Sequence, residues 1–238
     1  MWTAVNNFPH EAAIADLRRA VSINPNLAQA YIELEKIYYH IGLTHRAVDM
    51  HQLAALLDPS QAAVTNRAFR ALVDAGRLEE VRVELSQPIS LNPFGRAEAL
   101  VMMGQVDEAL HLLSTSQSIV KGVSEYDPAS VALLGVIYAR LNRREDATRM
   151  IATVLPEAEN RSALSHIHHT QFHLGAALGW LGRHDEAVDW LTKAAQQGYP
   201  SYTKFSSDPG LTPLHGHPRF KALLARLRDD HDRWAKLW

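Results

Sequence analysis

The sequence predicts an all-α protein built from stacked helix pairs, and three observations predict it. Pro25, Pro59 and Pro93 recur at equal intervals. Gly42 and Gly76 keep that same interval. Between these markers apolar residues fall three and four positions apart, the period of a helix with one buried face. The glycine supplies the turn between two helices, where the chain needs a conformation that side chains resist. The proline ends the second helix, because it has no amide to donate and clashes with the preceding turn.

The elements follow in order along this ruler. A partial first repeat spans 1–25, of which "EAAIADLRRAVSINP" (11–25) is a second helix. The repeat 28–61 carries Tyr31, Leu34, Tyr38, Ala47 and Ala54 in step, and the repeat 62–93 carries Ala68, Leu72, Val81 and Leu85. Pro88 falls late in that second helix and is expected to kink or end it. The repeat 94–117 has a shortened first helix, since Gly104 follows Gly76 sooner than Gly76 follows Gly42. The repeat 128–156 restores the pattern with Gly135, Tyr138, Ala147 and Ile151. The repeat 168–197 is the most regular, through Leu174, Gly175, Gly182, Ala187, Leu191 and Ala194. Residues 198–238 break the period and are expected to form a loop and a C-terminal capping helix.

With these positions filled, the chain resembles the tetratricopeptide repeat (TPR) family, whose helix–turn–helix unit of about 34 residues matches the interval between the prolines. The resemblance implies a right-handed superhelical TPR solenoid of about five helix-turn-helix repeats. Glu35 departs from it, standing where the family usually has a small residue. The closing stretch "GYPSYTKFSSDPGLTPLHGHPRFKALLARL" (198–227) resembles the C-terminal segment of bacterial TPR end-of-group proteins. Gly198, Tyr199, Pro200, Asp208, Pro209, Leu211, Leu214, Pro218 and Phe220 carry that likeness, and His168 and His169 stand where those proteins often have a His-His pair. Ser201 replaces a frequent cysteine, and His215 and His217 replace an arginine and an acidic residue. The likeness implies a bacterial signalling or regulatory context. The first unit lacks room for its first helix, so a fused upstream domain or a partner such as a second copy, giving a homodimer, is expected at that end.

Composition narrows the function. The 24 Lys and Arg nearly cancel the 26 Asp and Glu, so the electrostatic grip needed for nucleic acid or an acidic membrane is not expected. No cysteine is present, which excludes disulfides, thiolate catalysis and Cys-ligated zinc and suits a cytoplasmic setting. No basic-then-apolar leader opens the sequence, and no uncharged apolar run reaches the ~18 residues of a spanning helix.

In the family the first helix of each unit lines a concave groove, and the register maps that groove onto this sequence. The expected partner-binding residues are Lys36, Tyr39 and His40 in the first full unit and Asn66, Arg67 and Arg70 in the next. Val136 and Arg140 follow, then His169, Phe172, His173 and Trp180. Aromatics there would supply burial, and the basic groups would hold charge and hydrogen bonds on a protein or peptide segment. "SHIHHTQFHLG" (165–175) holds four of the chain's 13 histidines. His169 and His173 have the i, i+4 spacing with which one helix offers two imidazoles to a metal, but no HExxH glutamate accompanies them. The reading favoured is a non-enzymatic interaction module without cofactor. A histidine-based metal or small-molecule site on the 166–173 helix, or a dimerisation arm, is the alternative.

Overall fold

A computed structural model of the chain describes residues 10–59, 66–86, 93–115, 127–159 and 167–238, with the side chains of Asn66, Arg67, Ala68, Glu84 and Ser86 left aside. Pro88, His166 and the side chains of Asn66 and Arg67 therefore lie outside the described residues. Among those described, all regular structure is helical and no strand occurs. The helices are α1 (His10–Ile23), α2 (Ala28–His40), α3 (Thr44–Leu57), α4 (Asn66–Asp74), α5 (Leu78–Ser86), α6 (Pro93–Met102) and α7 (Val106–Thr115). There follow α8 (Pro128–Arg140), α9 (Arg144–Glu159), α10 (Ile167–Trp180), α11 (His184–Gln196), α12 (Tyr202–Ser207), a 3-10 helix (Pro209–Leu214) and α13 (Pro218–Leu237).

One turn joins the helices pair by pair. Gly42, Gly76, Gly104 and Gly182 sit at φ of 82°, 72°, 82° and 83°, and Asn142 takes the same place at 59°. Each is followed by an amide that bonds back to the preceding helix: Leu43 to Tyr38, Arg77 to Leu72, Gln105 to Leu100, Arg143 to Tyr138, and Arg183 to Leu178. This is the left-handed helix stop that glycine allows and asparagine tolerates. Five pairs result: α2–α3, α4–α5, α6–α7, α8–α9 and α10–α11. Helix α6 is short, at 10 residues against 13 for α2 and α8.

The first helices stack in sequence, α2 on α4, α4 on α6, α6 on α8 and α8 on α10. The last of these is enclosed. Every residue of α10 from His168 to Gly179 is buried, so its histidines lie inside protein. Gly175 permits that closeness, since a Cβ there would meet Leu191 Cγ at 2.7 Å.

The two ends of the stack meet. On the inside, the His40 ring of α2 lies 5.0 Å from that of His168 and 5.4 Å from that of His169 on α10. On the outside, α13 returns to α1: Trp234 Nε1 donates to Glu11 Oε1 at 3.1 Å, Arg233 pairs with the same carboxylate, and Arg18 Nη1 donates to the Trp238 carbonyl at 3.4 Å. Trp234 is buried while Leu237 stays half exposed.

Residues 199–214 run through the space the stack encircles. The Tyr199 hydroxyl bonds that of Tyr39 on α2 at 2.9 Å, and Thr203 Oγ1 donates to the Gly42 carbonyl at 2.8 Å. Helix α12 packs on α4, and the 3-10 helix packs on α6 and α10. Two side chains shape the path. Ser201 caps α12 by accepting from the Lys204 amide, and Asp208 caps the 3-10 helix by accepting from the Gly210 amide at 2.6 Å, with Pro209 following where no amide is needed. Tyr199, Phe205, Leu211 and Leu214 are fully buried and join the main core.

Candidate functional site

The helical register brings inner-face side chains together and leaves most of them buried. Tyr39, Arg70, Val136, Phe172 and His173 are buried, as are His40 and His169, and only Lys36, Arg140 and Trp180 are half-buried. The expectation of an open groove is corrected here, because residues 199–214 of the same chain fill it. Lys36 pairs outward with Glu33 at 2.6 Å. Arg140 donates to the Val101 carbonyl at 3.0 Å and lies over the Trp180 ring, 5.8 Å from its centre.

At the middle is a group of buried charges. Lys204 Nζ lies 3.4 Å from Asp74 Oδ1, 3.2 Å from Glu98 Oε1 and 3.2 Å from Asp208 Oδ2. Arg70 pairs through Nε with the second Glu98 oxygen and donates from Nη2 to the first at 3.3 Å. The Arg70 guanidinium lies over the rings of Tyr39 and Phe94, at 5.1 and 5.3 Å. His173 Nε2 stands 3.6 Å from Glu98 Oε1.

The burial and the pairing pull each group's proton affinity in opposite directions. Burial raises the Glu98 carboxyl, but Arg70 and Lys204 outweigh it and hold it at about 2. Asp74 is pushed up to about 6 by burial, against the pull of Lys204. Burial draws the Lys204 ammonium down, and its three carboxylates more than reverse that. Burial lowers His173 to about 4, so it is neutral at pH 7 despite Glu98. Two cations, Arg70 and Lys204, thus face three carboxyl groups, Asp74, Glu98 and Asp208.

The histidines separate into two environments. His169 Nδ1 accepts from Arg70 Nη2 at 3.2 Å, while His173 turns to Glu98 and packs edge-on to Phe94 at 5.7 Å. The i, i+4 pair expected as a metal candidate is therefore split between a guanidinium and a carboxylate. The cluster the fold does assemble is His40, His168 and His169, whose ligand atoms all lie within 4.8 Å of one another. The capping segment adds no imidazole to it, because His215 stacks on Phe220 and His217 faces Asp185 at 3.6 Å.

Sequence reasoning missed Glu98, Lys204 and Asp208 as parts of one site. A signal existed for all three. Lys204 and Asp208 have i, i+4 spacing as the only charges in the closing stretch 199–214, and Glu98 is the one charge inside the run "AEALVMM". Compared with known proteins, the chain matches no protein-family model and no curated protein.

Proposed function

We propose that the chain is a non-enzymatic protein-interaction module, a TPR-type superhelical array closed on itself by its C-terminal segment. The observation that carries the reading is the recurrence of one helix–turn–helix unit five times with the same left-handed stop, at Gly42, Gly76, Gly104, Asn142 and Gly182. Such arrays work by holding surfaces in fixed array for other polypeptides. The inner wall exerts that chemistry on the chain's own segment 199–214: Tyr39 and Phe172 supply burial, and the charges of α4 and α6 anchor Lys204.

Magnitude decides where a partner docks. Displacing the segment would expose Tyr199, Phe205, Leu211 and Leu214, each about 1.5–3 kcal/mol of buried side chain. That total approaches the ~5–15 kcal/mol that holds a whole domain together. A partner therefore meets the outer face. There α3 leaves Leu53, Leu56 and Leu57 in solvent, with Leu56 80% exposed, and Ile23 at the end of α1 is 75% exposed. Exposed apolar rows of this kind mark contact surfaces. In this reading the module serves a bacterial signalling or multiprotein assembly in the cytoplasm, and a second copy of the chain is among the partners it admits.

A photocrosslinker at position 56 of the full chain tests this. Capture of one protein, lost in Leu53→Glu and restored by Leu53→Met while the melting temperature holds, supports the reading. Capture unaffected by Leu53→Glu, or substrate turnover by the chain alone, refutes it.

A further inference from the structure

The place where the ends of the stack meet holds three imidazoles that the repeat architecture does not require. His40 closes α2, and His168 and His169 open α10, four helix pairs further along the chain. Their ligand atoms lie within 4.8 Å of one another. We propose that His40, His168 and His169 bind one divalent transition-metal cation of the Zn2+ class, which clasps α2 to α10. Imidazole is a ligand class that suits zinc, copper, nickel and iron. The inference is independent of the docking role.

Ring orientation supports it. A carbonyl oxygen accepts only, so His40 Nδ1 donates to the Lys36 carbonyl at 2.6 Å and His168 Nδ1 donates to the Gln197 carbonyl at 3.2 Å. Each bond fixes the tautomer whose lone pair is on Nε2. Backbone carbonyls hold metal-ligating histidines in this way, setting the tautomer and the ring plane together. The distance to be closed is small. Tetrahedral zinc at about 2.0–2.1 Å from nitrogen sets its ligand nitrogens ~3.3 Å apart, so each nitrogen advances by less than ~1 Å. All three residues are buried, each with 6–7% of its surface exposed.

His169 is the weakest ligand of the three. Its Nδ1 accepts from Arg70 Nη2 at 3.2 Å, and a metal on that nitrogen displaces the bond. Arg70 then keeps Glu98, to which it is paired through two nitrogens. The guanidinium opposes a second cation nearby. Opposing it in turn, three carboxyl groups, Asp74, Glu98 and Asp208, lie behind Arg70 with one further cation, Lys204, among them. The result is a site carried by His40 and His168, with His169 completing it at the expense of its arginine.

The test uses the full chain, stripped with a chelator and titrated at pH 7.5 with Zn2+ and with Co2+. The expected result is one ion per chain, a visible Co2+ spectrum of tetrahedral intensity, a raised melting temperature, and affinity at least ~100-fold weaker in His40→Gln and His168→Gln. His184→Gln with His217→Gln, which removes surface imidazoles beside Asp185, leaves binding unchanged. Nitrogen NMR of the wild-type rings gives the answer even if a buried variant does not fold: one equivalent of Zn2+ shifts Nε2 of His40 and His168 and leaves His231 unmoved. No saturable binding at millimolar Zn2+, or shifts confined to His184, His217 and His231, overturns the proposal.

Discussion

Replacing Lys204 by methionine removes a charge and little volume, and the structure says what that costs. The apolar stem stays beside Phe172, whose ring centre is 5.9 Å from Nζ. The ammonium goes, and with it the contacts at 3.4, 3.2 and 3.2 Å to Asp74, Glu98 and Asp208. Glu98 keeps Arg70, and Asp208 keeps the Gly210 amide. Asp74 keeps least. Removing one partner from a buried ion pair costs about 3–5 kcal/mol, and a chain of this length shifts by ~2–4 °C per kcal/mol. The expected fall in melting temperature at pH 7, followed by circular dichroism, is therefore about 6–20 °C. The loss also has a pH signature. Burial already holds Asp74 at about 6, and without the ammonium it goes higher. A carboxyl whose folded pKa is raised contributes stability below its unfolded value and loses it as pH rises through the folded one. The deficit of Lys204→Met therefore shrinks at pH 5, and Asp74→Asn in the same chain recovers part of it at pH 7. A Lys204→Met protein that melts within ~2 °C of wild type at pH 7, or whose deficit deepens on acidification, refutes the reasoning.

Three further outcomes follow from the same geometry. Acid unfolding carries opposed contributions: His173, lowered to about 4, and Glu98, lowered to about 2, give stability that is present at pH 7 and lost as pH falls through those values, while Asp74 gains stability from pH 6 toward 4. In Asp74→Asn the urea midpoint should thus fall more steeply between pH 6 and 4 than in wild type, and an unchanged slope would contradict the assignment. Gly104→Ala meets nothing within 4 Å and should cost only the left-handed conformation, roughly 1–2 kcal/mol. Gly42→Ala has the same φ but drives a Cβ to 3.1 Å from Ser201 Oγ and 3.2 Å from the Tyr202 amide, so it should cost clearly more in urea unfolding. Equal costs would mean that the 199–214 segment is not against that turn. Gly175→Ala crowds Leu191 Cγ and the Ala187 carbonyl and should destabilise by about 1–3 kcal/mol through overpacking, whereas no change would mean that α10 and α11 are further apart than described.

The helix pairs were legible because local rules specify them. A left-handed stop needs glycine or asparagine, so Gly42, Gly76, Gly104 and Gly182 mark the turns in the bare sequence, and the apolar period marks the buried face. Asn142 was harder to read, since asparagine also appears in ordinary loops. The inner face was legible as a set and misread in its environment. Tyr39, Arg70 and His173 have the polarity of a water-facing groove, and that polarity is equally satisfied by a buried partner. What satisfies it arrives from far along the chain: Tyr199 meets Tyr39 and Lys204 meets Asp74 across separations of 160 and 130 residues. Nothing in helical periodicity reports such contacts. The histidines show the same limit, because spacing placed His169 and His173 on one helix but had no means of bringing His40 to His168.

In the proposed reading residues 199–214 are a permanent part of the interior, which leaves docking to the outer face. Amide hydrogen exchange of the full chain measures this directly, at the Phe205, Asp208 and Leu211 amides that bond Ser201, Lys204 and Asp208. These amides are expected to exchange only with global unfolding, as slowly as those of α8 and α10. Exchange of the segment on the timescale of an unstructured peptide, with α8 and α10 still protected, would contradict it.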